Sequence, residues 1–307
     1  MATSLPDKIA YFFKRKWNIP PKVRRVIAIS LTLLAVVILG RMIYTNWKSL
    51  QDFQWKVRPV ALIGSFLAYI FYIGIAAFSY GSILNSLGST SSWRQHFRVY
   101  YISTLANRLP IPIGYIAGRL FLYNESTTRK TISFASGIEL LFVGMADVSL
   151  GAIFKPKSFT YFNWWVYLPV LLAGLIIVHP RILGPLLAFL KFRDPFELRY
   201  WQSIKWLLSY LLVMITGGLA LYLLIISFYP LPFIYLPNIV GAWCLASLVG
   251  ILIAFLPLGL GIHEVTLSLL LSSFLPPAIS AIIAILSRIV FTIFEIAMAG
   301  IASALKE

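Results

Sequence analysis

Apolar residues in this chain run together in blocks rather than alternating with polar ones. Val26–Leu39, Val60–Ile75, Leu207–Phe228 and Ile239–Leu256 contain no charged side chain. A helix rises 1.5 Å per residue, so a run of about 18–20 apolar residues crosses a hydrocarbon core about 30 Å thick. With their flanks, such blocks predict full spans at 24–45, 59–85, 131–153, 163–180, 206–228 and 278–303.

Two further apolar stretches are interrupted. The segment 92–124 breaks at Leu109-Pro110-Ile111-Pro112-Ile113-Gly114, and 238–275 breaks at Leu256-Pro257-Leu258-Gly259-Leu260-Gly261. Proline removes an amide donor and clashes with the preceding turn, while glycine tolerates dihedrals that end a helix. Pro110, Pro112, Gly114, Pro257, Gly259 and Gly261 are therefore expected to split each stretch into a re-entrant hairpin. Leu109 and Leu256 stand 147 positions apart, and the same shift carries the first hairpin onto the second and the third span onto the last. The expected fold is an all-α polytopic membrane protein of about six full spans plus two re-entrant broken-helix hairpins. Its repeat halves, about 26–153 and 163–303, are related by inversion, because the first hairpin enters from inside and the second from outside.

Charge refines this picture. Only 12% of the 307 residues are charged, yet the formal net charge is +16. With the N-terminus inside, 17 cations fall on inside segments and five on outside loops. That asymmetry predicts a multi-pass protein of the cell (cytoplasmic or inner) membrane with both termini cytoplasmic, and no nucleic-acid partner. Residues 1–25 form a basic segment, either an interfacial amphipathic helix or a plain topogenic tail, ahead of a single transmembrane domain at 26–305. The apolar stretch from Val26 is too long for a signal-peptide core and is expected to remain as a span. Cys244 is the single cysteine, which excludes a disulfide framework and a thiolate metal site.

Ionisable groups inside apolar spans are costly unless paired or hydrated, and are functional candidates for that reason. Arg119 follows the first break and Glu264 the second. If the hairpins meet at the midplane, the two would approach each other, with Arg119 and Arg108 engaging a lipid phosphate and Glu264 balancing their charge. The plainer alternative is an Arg–Glu pair that locks the hairpins. Glu139 and Asp147, eight residues apart in the third span, share a helical face. They would bind a cationic headgroup, relay protons, or pair with arginines. Arg288 and Glu295 share a face of the last span and fit a structural interhelical pair, while Asn107 either caps a helix end or touches substrate. His263-Glu264 lacks the second histidine of a zinc-protease motif, and no nucleophile elbow or phosphate-binding loop is present. His96 and His179 are expected at the membrane edges. No catalytic residue, metal or cofactor is expected. The aromatic clusters around Trp164, Tyr200-Trp201 and Trp206 fit interfacial belts.

At the two breaks the chain resembles the lysylphosphatidylglycerol synthase transmembrane-domain family, also called flippase-like. The residues that carry this are Asn107, Pro110, Gly114 and Arg119, then Pro257, Gly259, Gly261 and Glu264, with Leu258 where the family has glycine. The resemblance implies movement of lipids or lipid-linked intermediates between leaflets by a membrane module without the aminoacyltransferase domain. The implied partners are membrane lipids, either an anionic phospholipid or a polyprenyl-phosphate-linked lipid, with a second copy or a lipid-modifying enzyme as possible protein partners. A membrane-embedded transferase on lipid-linked substrates and a non-catalytic scaffold are the competing expectations.

Overall fold

The computed structural model describes residues 37–45, 47, 51, 56–106, 114–123, 127–154, 169, 176, 179, 200–253 and 261–304. Nearly all of these are helical. Outside them lie most of the predicted first span, all but three residues of the predicted span at 163–180, the basic segment 1–25, and Asn107, Arg108, Pro110, Pro112, Pro257 and Gly259.

Eight helices carry the architecture among the described residues: α1 (Pro59–Ser86), α2 (Trp93–Ala106), α3 (Gly114–Leu122), α4 (Arg129–Ile153), α5 (Tyr200–Phe228), α6 (Leu236–Ile253), α7 (Ile262–Leu271) and α8 (Pro277–Ala304). The predicted spans 59–85, 131–153 and 278–303 agree with α1, α4 and α8 within two residues, and α5 starts six residues before its predicted boundary. Thr128 caps α4 by accepting the Thr131 amide at 3.2 Å, which meets one of the helix's orphan donors. The described helices end at Ala106 and begin again at Gly114, and end at Ile253 and begin again at Ile262, so the two Pro/Gly motifs lie between them, outside the described residues except for Gly114 and Gly261. Gly261 holds a left-handed φ of 101° at the second restart, which a side chain would strain.

The chain is an all-α polytopic membrane protein. Val60, Ile63, Leu67, Phe71 and Phe78 form an exposed stripe along α1, and Ile289, Ile293 and Ile296 do the same on α8. The opposite faces of both helices are buried as well. Water would not tolerate such a continuous apolar surface, but a bilayer matches it. By length and composition α1, α4, α5, α8 and the stretch Phe233–Leu252, which joins a short 3-10 turn to α6, can each cross a membrane. At 10 residues α7 is too short, and the described lengths of α2 and α3, 14 and 9 residues, also fall below a span. The second hairpin thus differs from a purely re-entrant one: its first limb is long enough to reach across.

The repeat is visible in the packing. Shifted by the 147 positions between the motifs, α2, α3 and α4 land at 240–253, 261–269 and 276–300, against observed bounds of 236–253, 262–271 and 277–304. If α1–α4 are matched with α5–α8, every closely packed pair has its counterpart in the other half. For example, α4 packs on α6 as α8 packs on α2, and α3 on α4 as α7 on α8. The equivalent helices α1 and α5 run antiparallel. The Arg58 amide donates to the Ser227 carbonyl at 2.8 Å, Ser65 Oγ to the Ala220 carbonyl at 2.8 Å, and Trp206 Nε1 to Ser82 Oγ at 3.1 Å. As numbers rise along α1, their partners fall along α5, which is the inverted relation.

Candidate functional site

In the first half α3 lies against α4, and this brings Arg119 to Glu139. Both are buried, at 2% and 4% exposure. One guanidinium nitrogen, Nη1, makes a close ion pair with Glu139 Oε2, and Nη2 donates to Oε1 at 3.2 Å. Nη1 also reaches Ser136 Oγ at 3.3 Å, and Tyr100 donates its hydroxyl to Glu139 Oε1 at 2.8 Å. Three rings box the cation: Arg119 Cζ sits 3.8 Å from the centre of Tyr80, 4.6 Å from Tyr100 and 4.9 Å from Tyr115. The two-pronged pairing and the aromatic faces replace the water that Arg119 lost on burial. The replacement is incomplete, because among the described residues Arg119 Nε, the Tyr115 hydroxyl and the Tyr210 hydroxyl are buried without a hydrogen-bond partner. Tyr210, on α5, lies within electrostatic range of both members of the pair.

The second half repeats the arrangement with the signs exchanged. Glu264 on α7 forms a close ion pair with Arg288 on α8, and its other oxygen accepts the Gly261 amide at 2.9 Å. That last bond is the reciprocal half of a capping box and ties the carboxylate to the helix start. In each half, then, the second hairpin limb meets the following span through one buried pair. The cation is on the limb in the first half and on the span in the second. The Glu264 side chain is 6% exposed and that of Arg288 is 25% exposed, so this pair is the more open one.

No protein-family model matches the chain, and no curated protein matches it.

The expected approach of Arg119 to Glu264 is replaced by these two separate pairs, because each limb docks on its own half's closing span and α3 does not pack closely on α7. Arg288 and Glu295 share a face but turn to different helices: Glu295 accepts the Tyr69 hydroxyl at 2.5 Å from α1. Removing that donor as Tyr69→Phe is expected to cost about 1–2 kcal/mol, read as a lower melting temperature in detergent. Asp147, 0% exposed, faces Ser247 and Cys244 of α6, and among the described residues neither of its oxygens has a partner in full hydrogen-bond geometry. Gly114 and Gly261 stand at the two helix restarts. His96 is buried rather than interfacial, with Nδ1 at 2.9 Å from the Tyr123 hydroxyl and Nε2 at 2.8 Å from Asn85 Oδ1. The amide oxygen can only accept, so Nε2 carries a hydrogen and donates to Asn85. Trp206 leaves the expected aromatic belt: it is buried against Phe142, whereas Tyr200 and Trp201 are exposed.

The tyrosines were not foreseen. Tyr80, Tyr100, Tyr115 and Tyr210 come from four different helices, and no spacing in a single segment could gather them. The one available hint is that a buried tyrosine hydroxyl needs a partner, and α1, α2, α3 and α5 each carry one.

Proposed function

We propose that the protein moves a phosphate-bearing lipid, an anionic phospholipid or a polyprenyl-phosphate-linked lipid, between the two leaflets of the cell membrane. The observation that carries this is the incomplete solvation of Arg119. A buried cation sits beside three polar groups without hydrogen-bond partners, its own Nε and the Tyr115 and Tyr210 hydroxyls, all able to donate. A buried donor without a partner forfeits about 1–3 kcal/mol, which an entering acceptor would restore. A phosphate offers several acceptor oxygens and a charge that can take over from Glu139, whereas an uncharged headgroup offers acceptors without that charge. A buried ion pair is worth little net against its desolvation, so exchanging the carboxylate for a phosphate is close to balanced.

The second pair supplies the complementary station. Arg288 is partly exposed and would meet the headgroup before or after Arg119, with Glu264 released to its Gly261 anchor. Broken helices at matching positions of inverted halves are the arrangement by which transporters offer such a site alternately to each side. The resemblance of the two break motifs to the lysylphosphatidylglycerol synthase transmembrane family points the same way. The cation distribution supports cytoplasmic termini.

The test is translocation of a fluorescent anionic phospholipid in vesicles carrying the purified protein. The neutralised pair Arg119→Gln/Glu139→Gln keeps a similar shape and is expected to slow anionic-lipid translocation at least about tenfold, a barrier increase near 1.4 kcal/mol. A rate equal to wild type contradicts the proposal.

A further inference from the structure

Among the buried ionisable groups, Asp147 alone stands outside both ion pairs with no partner for either carboxylate oxygen among the described residues. Glu295, one position beyond the repeat counterpart of Asp147, accepts from Tyr69. Asp147 faces the seam where α4 crosses α6, a contact between the two halves rather than within one. Ser247 and Cys244 of α6 interact with it as neutral donors too loosely placed for a full hydrogen bond, and no cation among the described residues pairs with it.

A bare carboxylate cannot stay ionised in a dry helix seam, so something positive must accompany it. A hard metal cation would need about six or more oxygen ligands, whereas this seam supplies one carboxylate, one hydroxyl and a soft sulfur. A proton needs one oxygen. Among the described residues the other groups packed on α4 do not supply the charge. Cys244 is the titratable group facing Asp147 from α6. Tyr210 of α5, Tyr80 of α1, and Tyr115 and Arg119 of α3 gather around Glu139, which lies eight residues back, about 12 Å along the helix axis.

We propose that Asp147 is a proton-binding site in the seam between the two halves, occupied while α4 and α6 are in contact and emptied to water when they part. One proton leaves the carboxylic acid for each opening, and the carboxylate is then hydrated. The site does not depend on what the protein carries. It would make opening of the halves responsive to pH on whichever side the seam faces.

Two readouts test it without any transport measurement. The first is infrared spectroscopy of the wild-type protein in lipid vesicles at neutral pH. A carboxylic-acid carbonyl band is expected, absent from Asp147→Asn and retained in Glu295→Gln. The second uses Cys244, the only cysteine and fully buried, as a reporter of seam opening. Its alkylation rate should rise with pH about tenfold per unit more steeply in wild type than in Asp147→Asn, because one released proton shifts the open population by that factor. Asparagine copies the protonated acid in shape and charge, and should leave only the thiol's own pH dependence. If the variant does not assemble, the wild-type band and the wild-type slope still decide. Absence of the band, a slope no steeper than that of a simple thiol, or loss of the band on adding sodium chloride in place of choline chloride at constant pH each overturns the proposal.

Discussion

Arg119→Ala is expected to destabilise the protein by about 3–5 kcal/mol, which would prevent accumulation of a folded form in most preparations. The size follows from what remains. Glu139 would keep only the Tyr100 hydroxyl while staying buried, and an ionised carboxylate without its cation is among the costliest states in a protein interior. Tyr80, Tyr100 and Tyr115 would also lose the cation that they enclose. The double variant Arg119→Met/Glu139→Leu should recover most of the loss, since a buried pair exchanged for apolar groups of similar volume is often neutral. Unfolding followed by thermal melting or by titration with a denaturing detergent separates the two. Equal destabilisation of single and double variants would mean that packing, not charge, holds α3 on α4.

Gly241→Ala has the second largest expected effect. A methyl group at this position in α6 would lie 2.1 Å from the Phe154 carbonyl oxygen and 2.7 Å from its carbon, so the obstacle is the backbone at the end of α4. A rotamer change cannot relieve such a clash, and the helices must separate. Close crossings at small residues are how membrane helices gain contact when lipid is as apolar as the side chains. Gly151, whose added methyl would lie 2.8 Å from Leu245 Cδ2, marks the same crossing from the α4 side. A loss of about 1–3 kcal/mol is expected, together with faster alkylation of Cys244 in the seam beside it. Gly144→Ala is the contrast on the same helix. Nothing lies within 4 Å of its added methyl, and the better helix propensity of alanine should leave stability unchanged or raised by up to about 1 kcal/mol. Melting temperatures of the two variants provide the comparison.

The chain order of hydrophobic blocks, the two broken stretches and their shared spacing were legible before any coordinates, and α1, α4 and α8 lie within two residues of their predicted bounds. These are local properties. A span is recognised by its own length and apolarity, and a break by its own prolines and glycines. Repetition is legible for the same reason, because two copies of one local pattern can be compared without knowing how they pack. The ionisable candidates were also found locally, since a charge in an apolar segment is conspicuous wherever it points.

What only the tertiary structure decided is which groups meet. Arg119 takes Glu139 and Glu264 takes Arg288, at sequence separations of 20 and 24 residues, because each short limb folds back on the next span of its own half. The aromatic box, the burial of Trp206 and the seam around Asp147 likewise arise from helices far apart in the chain. A hydrophobic period specifies that a face is buried, but it carries no information on which other face covers it. Pairing depends on crossing points and helical phase, and these are set by packing over the whole bundle.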